Sequence, residues 1–187
     1  MMKQLLQIIL ALFVVAMLGG CTTSKSNSDT FILNNETQLG YNIYKNYKYG
    51  YCFSYPEFLQ VSSFSSSSEK KEFVSSDGRI TAVASARFNH GKRTVTSLFN
   101  EEKYFLARDG YRITYEFSKN DMVVFSGFTP QNKIFYQKIV VCDLYSPETT
   151  DLRSVIARVD VIFENDDRYR GEEITELLKR FPYDKRD

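Results

Sequence analysis

The spacing of apolar and polar positions sets out the elements of this chain in order. Tyr47, Tyr49, Tyr51, Phe53 and Tyr55 alternate with Lys48, Gly50, Cys52 and Ser54, a period of two that predicts a strand ending at Pro56. Residues 71–76 and 79–89 flank Asp77-Gly78, whose glycine suits the positive φ of a tight hairpin turn. In the second arm Ile80, Ala82, Ala84, Ala86 and Phe88 share a face, and the run of alanines predicts a helix packed closely on it. The period then changes. Val95, Leu98, Phe99, Phe105 and Leu106 fall at helical spacing, Thr94 or Thr96 can cap, and Asp109-Gly110 ends the run.

Alternation returns at Tyr111, Ile113, Tyr115 and Phe117, a strand with one wet face, and residues 122–129 are apolar on both faces, as in a central strand. Residues 133–145 and 152–163 predict two more strands around a Ser146-Pro147 turn. A last helix carries Ile174, Leu177, Leu178 and Phe181 on one stripe, with Glu172 and Glu173 near its start, Lys179 and Arg180 near its end, and Pro182 stopping it. Strands joined by hairpin-length connections, with two helices among them, predict an α+β fold: a largely antiparallel sheet with helices packed on it. Core positions expected to join sheet and helices in one cluster are Ile80, Phe88, Leu98, Phe105, Val159, Val161, Leu177 and Leu178.

Composition narrows the function. The 187 residues are 43% hydrophobic and include 15 Phe and 13 Tyr, enough to bury a core in a single domain. The 24 basic and 23 acidic side chains balance, which gives no support to a nucleic-acid partner. One His and three Cys exclude His-rich metal sites and multi-Cys zinc modules, and neither a P-loop nor a GxGxxG is present, so no metal or cofactor is expected.

The N-terminus is the most specific segment. Lys3 precedes a mostly apolar run over residues 5–18, too short for a spanning helix, which closes in Leu18-Gly19-Gly20-Cys21. This motif resembles the bacterial lipobox. The resemblance implies that residues 1–20 are a lipoprotein signal peptide and that Cys21 carries the lipid that holds the protein on a membrane. Thr22, where Asp would favour the inner membrane, leans toward the periplasmic face of the outer membrane if the envelope is Gram-negative. Residues 21–40, rich in Ser, Thr and Asn, read as a flexible tether, and residues 41–187 as the single domain. Phe31-Ile32-Leu33 interrupts the tether and could instead dock on the domain as an edge strand.

Tyr-Gly-aromatic leading to Tyr55-Pro56, the Asp77-Gly78 hairpin, the central helix, Ser126-Gly127-Phe128 with Lys133-Ile134-Phe135-Tyr136, and the C-terminal helix together resemble the PsbP-like family over residues 44–183. The resemblance implies a three-layer α/β/α sandwich and a protein that docks to larger assemblies rather than turning over a substrate.

Candidate chemistry is sparse. Ser67-x-x-Lys70, Ser68-x-x-Lys71, Ser76-Asp77-Gly78 and Lys92-Arg93-Thr94 echo the order of penicillin-recognising enzymes, but serines 62, 63 and 65–68 favour loop and the spacings are too short. His90 beside Gly91 lies in a predicted turn, so a hydrolase is the weakest reading and no catalytic residue is assigned. Glu164-Asn165-Asp166-Asp167 lacks a regular calcium loop and is better placed to cap the last helix. Cys52 and Cys142 form an even pair that either bridges or stays reduced. Tyr41, Tyr44 and Tyr47 with Lys45 and Lys48 make an amphipathic rim suited to partner contact, against the plainer reading of an aromatic strand. The expectation is a lipid-anchored envelope protein whose domain binds an unidentified envelope protein without catalysis. The alternative is a small-ligand or glycan-binding lipoprotein, to be known by an aromatic-lined cavity.

Overall fold

The computed structural model describes residues 30–33, 40–63 and 67–182, the first four as backbone only. The signal segment, Cys21 and residues 64–66 of the serine run lie outside them. The fold is α+β, and every strand pairing among the described residues is antiparallel.

A small sheet is ordered β1 (Thr30–Leu33), β2 (Tyr41–Asn46), β3 (Tyr51–Pro56). Seven further strands form a large sheet: β4 (Leu59–Val61), β5 (Lys70–Ser75), β6 (Ile80–Phe88), β7 (Arg112–Lys119), β8 (Met122–Phe128), β9 (Ile134–Ser146) and β10 (Asp151–Phe163). Their order is β4-β5-β6-β10-β9-β8-β7, so the long β9–β10 hairpin lies inside the sheet and β7 forms one edge.

Helix α1 (Val95–Arg108) begins where predicted, with Thr94 Oγ1 accepting a hydrogen bond from the Ser97 N–H at 3.2 Å. Helix α2 (Arg168–Leu177) runs into a 3-10 turn, Leu178–Arg180. It starts a turn earlier than Glu172 and Glu173 suggested, so its first turn holds no acidic side chain. Asp167 occupies the N-cap position without a capping bond from its side chain, which pairs instead with Arg79 and Arg170.

The two faces of the large sheet hold separate clusters, where a single one was expected. Leu98 and Leu106 of α1 pack on Val123, Phe125, Phe135, Ile139 and Ile156. On the other face Ile80, Val159, Val161 and Leu178 join the aromatics of β2 and β3. Phe105 is about a third exposed, at 36%, and Leu177 only half-buried, because each helix stripe is narrower than its apolar sequence. The alanine face of β6 shares its cluster with Tyr44, Tyr49, Tyr51 and Phe53, so the small residues make room for an aromatic sheet as well as for α2.

The strand predicted through residues 47–55 is broken. Residues 47–50 form a turn, and Gly50 sits at φ +72°, in the left-handed region. A β-carbon there would lie 2.0 Å from the Tyr145 carbonyl oxygen, so the turn needs glycine to press against β9. β1 pairs with β2 from Thr30 opposite Asn46 to Leu33 opposite Ile43, so the Phe31-Ile32-Leu33 run lies in an edge strand of the small sheet.

Candidate functional site

One helix is about 10–12 Å wide and a seven-stranded sheet spans six gaps of about 4.8 Å, so α1 leaves part of its face open, and on the other face α2 and the small sheet together still leave a groove. The uncovered parts lie diagonally opposite. On the α1 face they lie over β5 and β6, and on the α2 face over β7 and β8.

The groove beside α2 has a volume of 470 Å³ and a largely apolar and aromatic lining: Phe117, Met122, Val124 and Tyr136 from the strands, Tyr115 at the edge, and Leu178 from the helix end. Alternation along β7, β8 and β9 places these side chains on one face. Tyr115 is 54% exposed. Tyr136 is half-buried, and no group among the described residues hydrogen-bonds its hydroxyl. Burial pushes the Tyr136 phenol above its ordinary range, helped by the neighbouring Tyr115 and Glu176.

Lys138 closes the inner end of this groove, 6% exposed in a mostly buried stretch of β9. Its ammonium donates to the carbonyls of Leu178 at 2.7 Å and Phe181 at 3.0 Å. Burial pulls its pKa below the ordinary lysine value, and the charge of Asp121 opposes that pull. The amine thus latches the end of α2 to the sheet. Glu176 and Lys179 pair at the outer rim. The arrangement can hold an apolar or aromatic side chain, with the edge of β7, unpaired among the described residues, alongside to offer backbone hydrogen bonds.

The groove on the α1 face, 540 Å³, is charged. Arg158 donates to both oxygens of Glu102 at 3.1 and 3.0 Å and to Asp160 at 2.7 Å, and Asp160 accepts from Gln137 at 2.9 Å. Two carboxylates already satisfy Arg158, which leaves it a structural cation rather than an anion receptor.

The residues singled out in the sequence are dispersed. Tyr44 is a correction: it is 1% exposed, its ring 5.8 Å from Tyr51 and 5.7 Å from Phe73, because β2 turns its even positions 44 and 46 into the core. Tyr41 takes a hydrogen bond from Arg180 at 2.8 Å, and Lys45 lies half-buried on the opposite face of β2. Tyr47 is exposed in the turn. Lys48 sits over the Tyr49 ring and 3.5 Å from Glu69; contact with Tyr49 and then the Glu69 charge raise its pKa against burial. No single rim gathers all five.

Cys52 and Cys142 are both thiols, not halves of a disulfide. Tyr51 and Phe53 face the core on β3, so alternation turns Cys52 away from the cluster that holds Cys142. His90 is exposed beside the Phe88 ring, and no described hydroxyl or carboxylate hydrogen-bonds it. Among the described residues no group of three metal-ligating side chains converges. None of their helices is long and apolar enough to cross a membrane.

The groove residues Tyr115, Phe117, Met122, Val124, Tyr136 and Lys138 were not assembled from the sequence, because three strands and a helix end bring them together. One local signal was available: a lysine inside the run Ile134 to Val141, where burial demands a partner. Comparison with family models and with curated proteins returns no match.

Proposed function

We propose that this chain is a lipid-anchored bacterial envelope protein, held through Cys21, whose domain binds a segment of another envelope protein without catalysing a reaction. The observation that carries the binding reading is the aromatic groove beside the edge of β7, which no strand among the described residues pairs. An extended segment adding to that edge gains backbone hydrogen bonds and presents alternate side chains to Tyr115, Phe117 and Tyr136. The anchor rests on Leu18-Gly19-Gly20-Cys21 at the end of a short apolar run, and Thr22 favours the periplasmic face of the outer membrane if the envelope is Gram-negative. The finer fold reading is a PsbP-like three-layer α/β/α sandwich. It draws support from α1 on one face of the sheet and α2 with the small sheet on the other, and it favours docking over turnover.

The test is photo-crosslinking in intact envelopes with a reactive residue at position 115 or, as an exposed control, at position 169. A discrete protein adduct from position 115 alone is expected. Adducts equal at both positions, or none at 115, overturn the reading. The aromatic lining also favours a second reading, a small apolar or glycan ligand in the same groove. Native mass spectrometry of the detergent-released protein separates the two: a small-molecule adduct that Tyr136→Ala abolishes supports the ligand.

A further inference from the structure

The segment that follows Cys21 enters the described domain through β1, beside a distinctive end of the fold. Thr30 pairs with Asn46, immediately before the 47–50 turn. Beside this turn the β9–β10 hairpin projects beyond its neighbours: β8 pairs no further along β9 than Val140, and β6 pairs no further along β10 than Val155. Asn89, just past β6, still donates to the Ser154 carbonyl at 2.8 Å, so residues 151–153 of β10 continue paired with β9 alone, a ribbon about 10 Å long at about 3.3 Å per residue. Leu152 and Tyr145 are cross-strand partners on it, 67% and 56% exposed, and Tyr47 in the adjoining turn is 37% exposed. The Ser146 hydroxyl donates to the Lys48 carbonyl at 2.7 Å, and Gly50 packs against the Tyr145 carbonyl, so turn and ribbon form one stiff tip.

We propose that this tip, through Tyr145, Leu152 and Tyr47, rests in the headgroup region of the membrane to which Cys21 is attached. The inference depends on the lipid anchor proposed above. Its geometric ground is reach. From Cys21 to Thr30 there are nine residue steps, at most about 32 Å when fully extended. β10 alone, running from the tip to the opposite end, is about 40 Å long at about 3.3 Å per residue. A tether shorter than β10 favours the tip over the far end as the part held against the bilayer. Tyrosine suits such a place, with an apolar ring and a hydroxyl that stays in water. Asp143 on β9 and Glu148 in the 147–150 turn are exposed, and Lys48 lies in the adjoining 47–50 turn, so charges of both signs flank the tip and the contact is interfacial rather than electrostatic. Tethering raises the local concentration of lipid around the tip, so a contact too weak for a free domain suffices.

The chain contains no tryptophan, so a single introduced one reports its own surroundings. The acylated full-length Leu152→Trp protein, and Tyr145→Trp as a second reporter, are reconstituted in phosphatidylethanolamine–phosphatidylglycerol vesicles containing brominated acyl chains. Tyr169→Trp, 82% exposed at the start of α2 and at the far end of β10, is the control. Blue-shifted emission quenched by the brominated lipid is expected at 152 and 145, unchanged between low and high salt, with none at 169. Equal quenching at all three positions, or none at 152 and 145, overturns the proposal. So does a blue shift that requires added envelope protein, which would make the tip a protein contact. Mass spectrometry of the same sample reads acylation of Cys21, so failure of the anchor is seen separately from failure of the tip contact.

Discussion

Replacing Lys138 with Met keeps most of the apolar stem and removes the ammonium, which isolates the latch between β9 and the end of α2. The two lost bonds run from a charged donor to the Leu178 and Phe181 carbonyls at 2.7 and 3.0 Å. Such bonds contribute about 1.5–3 kcal/mol each, so roughly 3 kcal/mol is at stake at the lower bound. Relief of the buried charge returns about 1 kcal/mol of that. The Leu178 carbonyl still accepts from the Phe181 N–H at 3.2 Å, so the Phe181 carbonyl bears the main loss. A net destabilisation of about 2 kcal/mol is expected in urea melts at pH 7, with the denaturant slope unchanged.

The loss should be local. The segment after α2 also places the Phe181 ring 5.9 Å from Tyr51 and lets the Pro182 carbonyl accept from the Cys52 N–H at 2.9 Å. Loosening it should therefore speed trypsin cleavage after Lys179 and Arg180 ahead of global unfolding. Lys138→Ala should cost more, because it leaves a cavity as well. A Met variant within about 0.5 kcal/mol of the parent, with unchanged cleavage, would refute the latch.

Other outcomes can be read from the same melts. The buried Tyr51 hydroxyl lies beside Tyr44 and Asn46 but makes no hydrogen bond of good geometry, so Tyr51→Phe should leave stability unchanged or raise it by about 1 kcal/mol; a loss above that would show the hydroxyl to be satisfied. Asp77 is held well below the ordinary carboxylate range by the Ser75 hydroxyl, the Arg170 guanidinium and the Arg79 N–H, and Asp166 is lowered by Arg79. Depressed folded values mean that this stabilisation is complete above about pH 4 and falls as acid protonates the folded carboxylates, so Asp77→Asn should flatten the acid limb of a stability–pH profile. At the alkaline end burial pushes Tyr55 up to about 12, so its contribution is complete below about pH 10 and is lost as the pH rises to 12. Tyr55→Phe should reduce that loss, and an unchanged alkaline limb would count against burial of the phenol.

The elements that could be read from the sequence were those with one period and a local stop. Thr94 and Asp109-Gly110 bound α1 in the structure as they do in the sequence, and Asp77-Gly78 marks the β5–β6 hairpin. The tyrosine-rich segment misled because a turn was hidden inside an unbroken alternation. Residues 47–50 keep the parity of a strand while the chain reverses, and only Gly50 marks the place. The same error put Tyr44 on a rim. Once β2 and β3 are separate strands, the partner of each position is set by the hairpin and by the large sheet beneath it, and Tyr44 falls inward. The groove was hidden for a different reason. Tyr115 and Tyr136 lie on strands separated by β8, and pattern alone does not say how much of a sheet face a helix leaves open.

The proposed anchoring and the proposed binding edge constrain one another through sheet twist. Adjacent strands turn by about 20–25°, so three steps from β10 to β7 accumulate roughly 60–75°. If β10 stands away from the bilayer on its tip, β7 lies much closer to the membrane plane. A partner strand added to β7 would then run along the membrane rather than out of it. That geometry favours a partner segment held near the lipid surface, such as the loop or terminus of another membrane-bound protein. It also makes the two crosslinking and quenching experiments interdependent. Protein adducts at position 115 should weaken when Tyr145→Ser and Leu152→Ser together free the tip, even though neither residue lines the groove. Adducts undiminished in that double variant would separate binding from orientation and leave the groove to act alone.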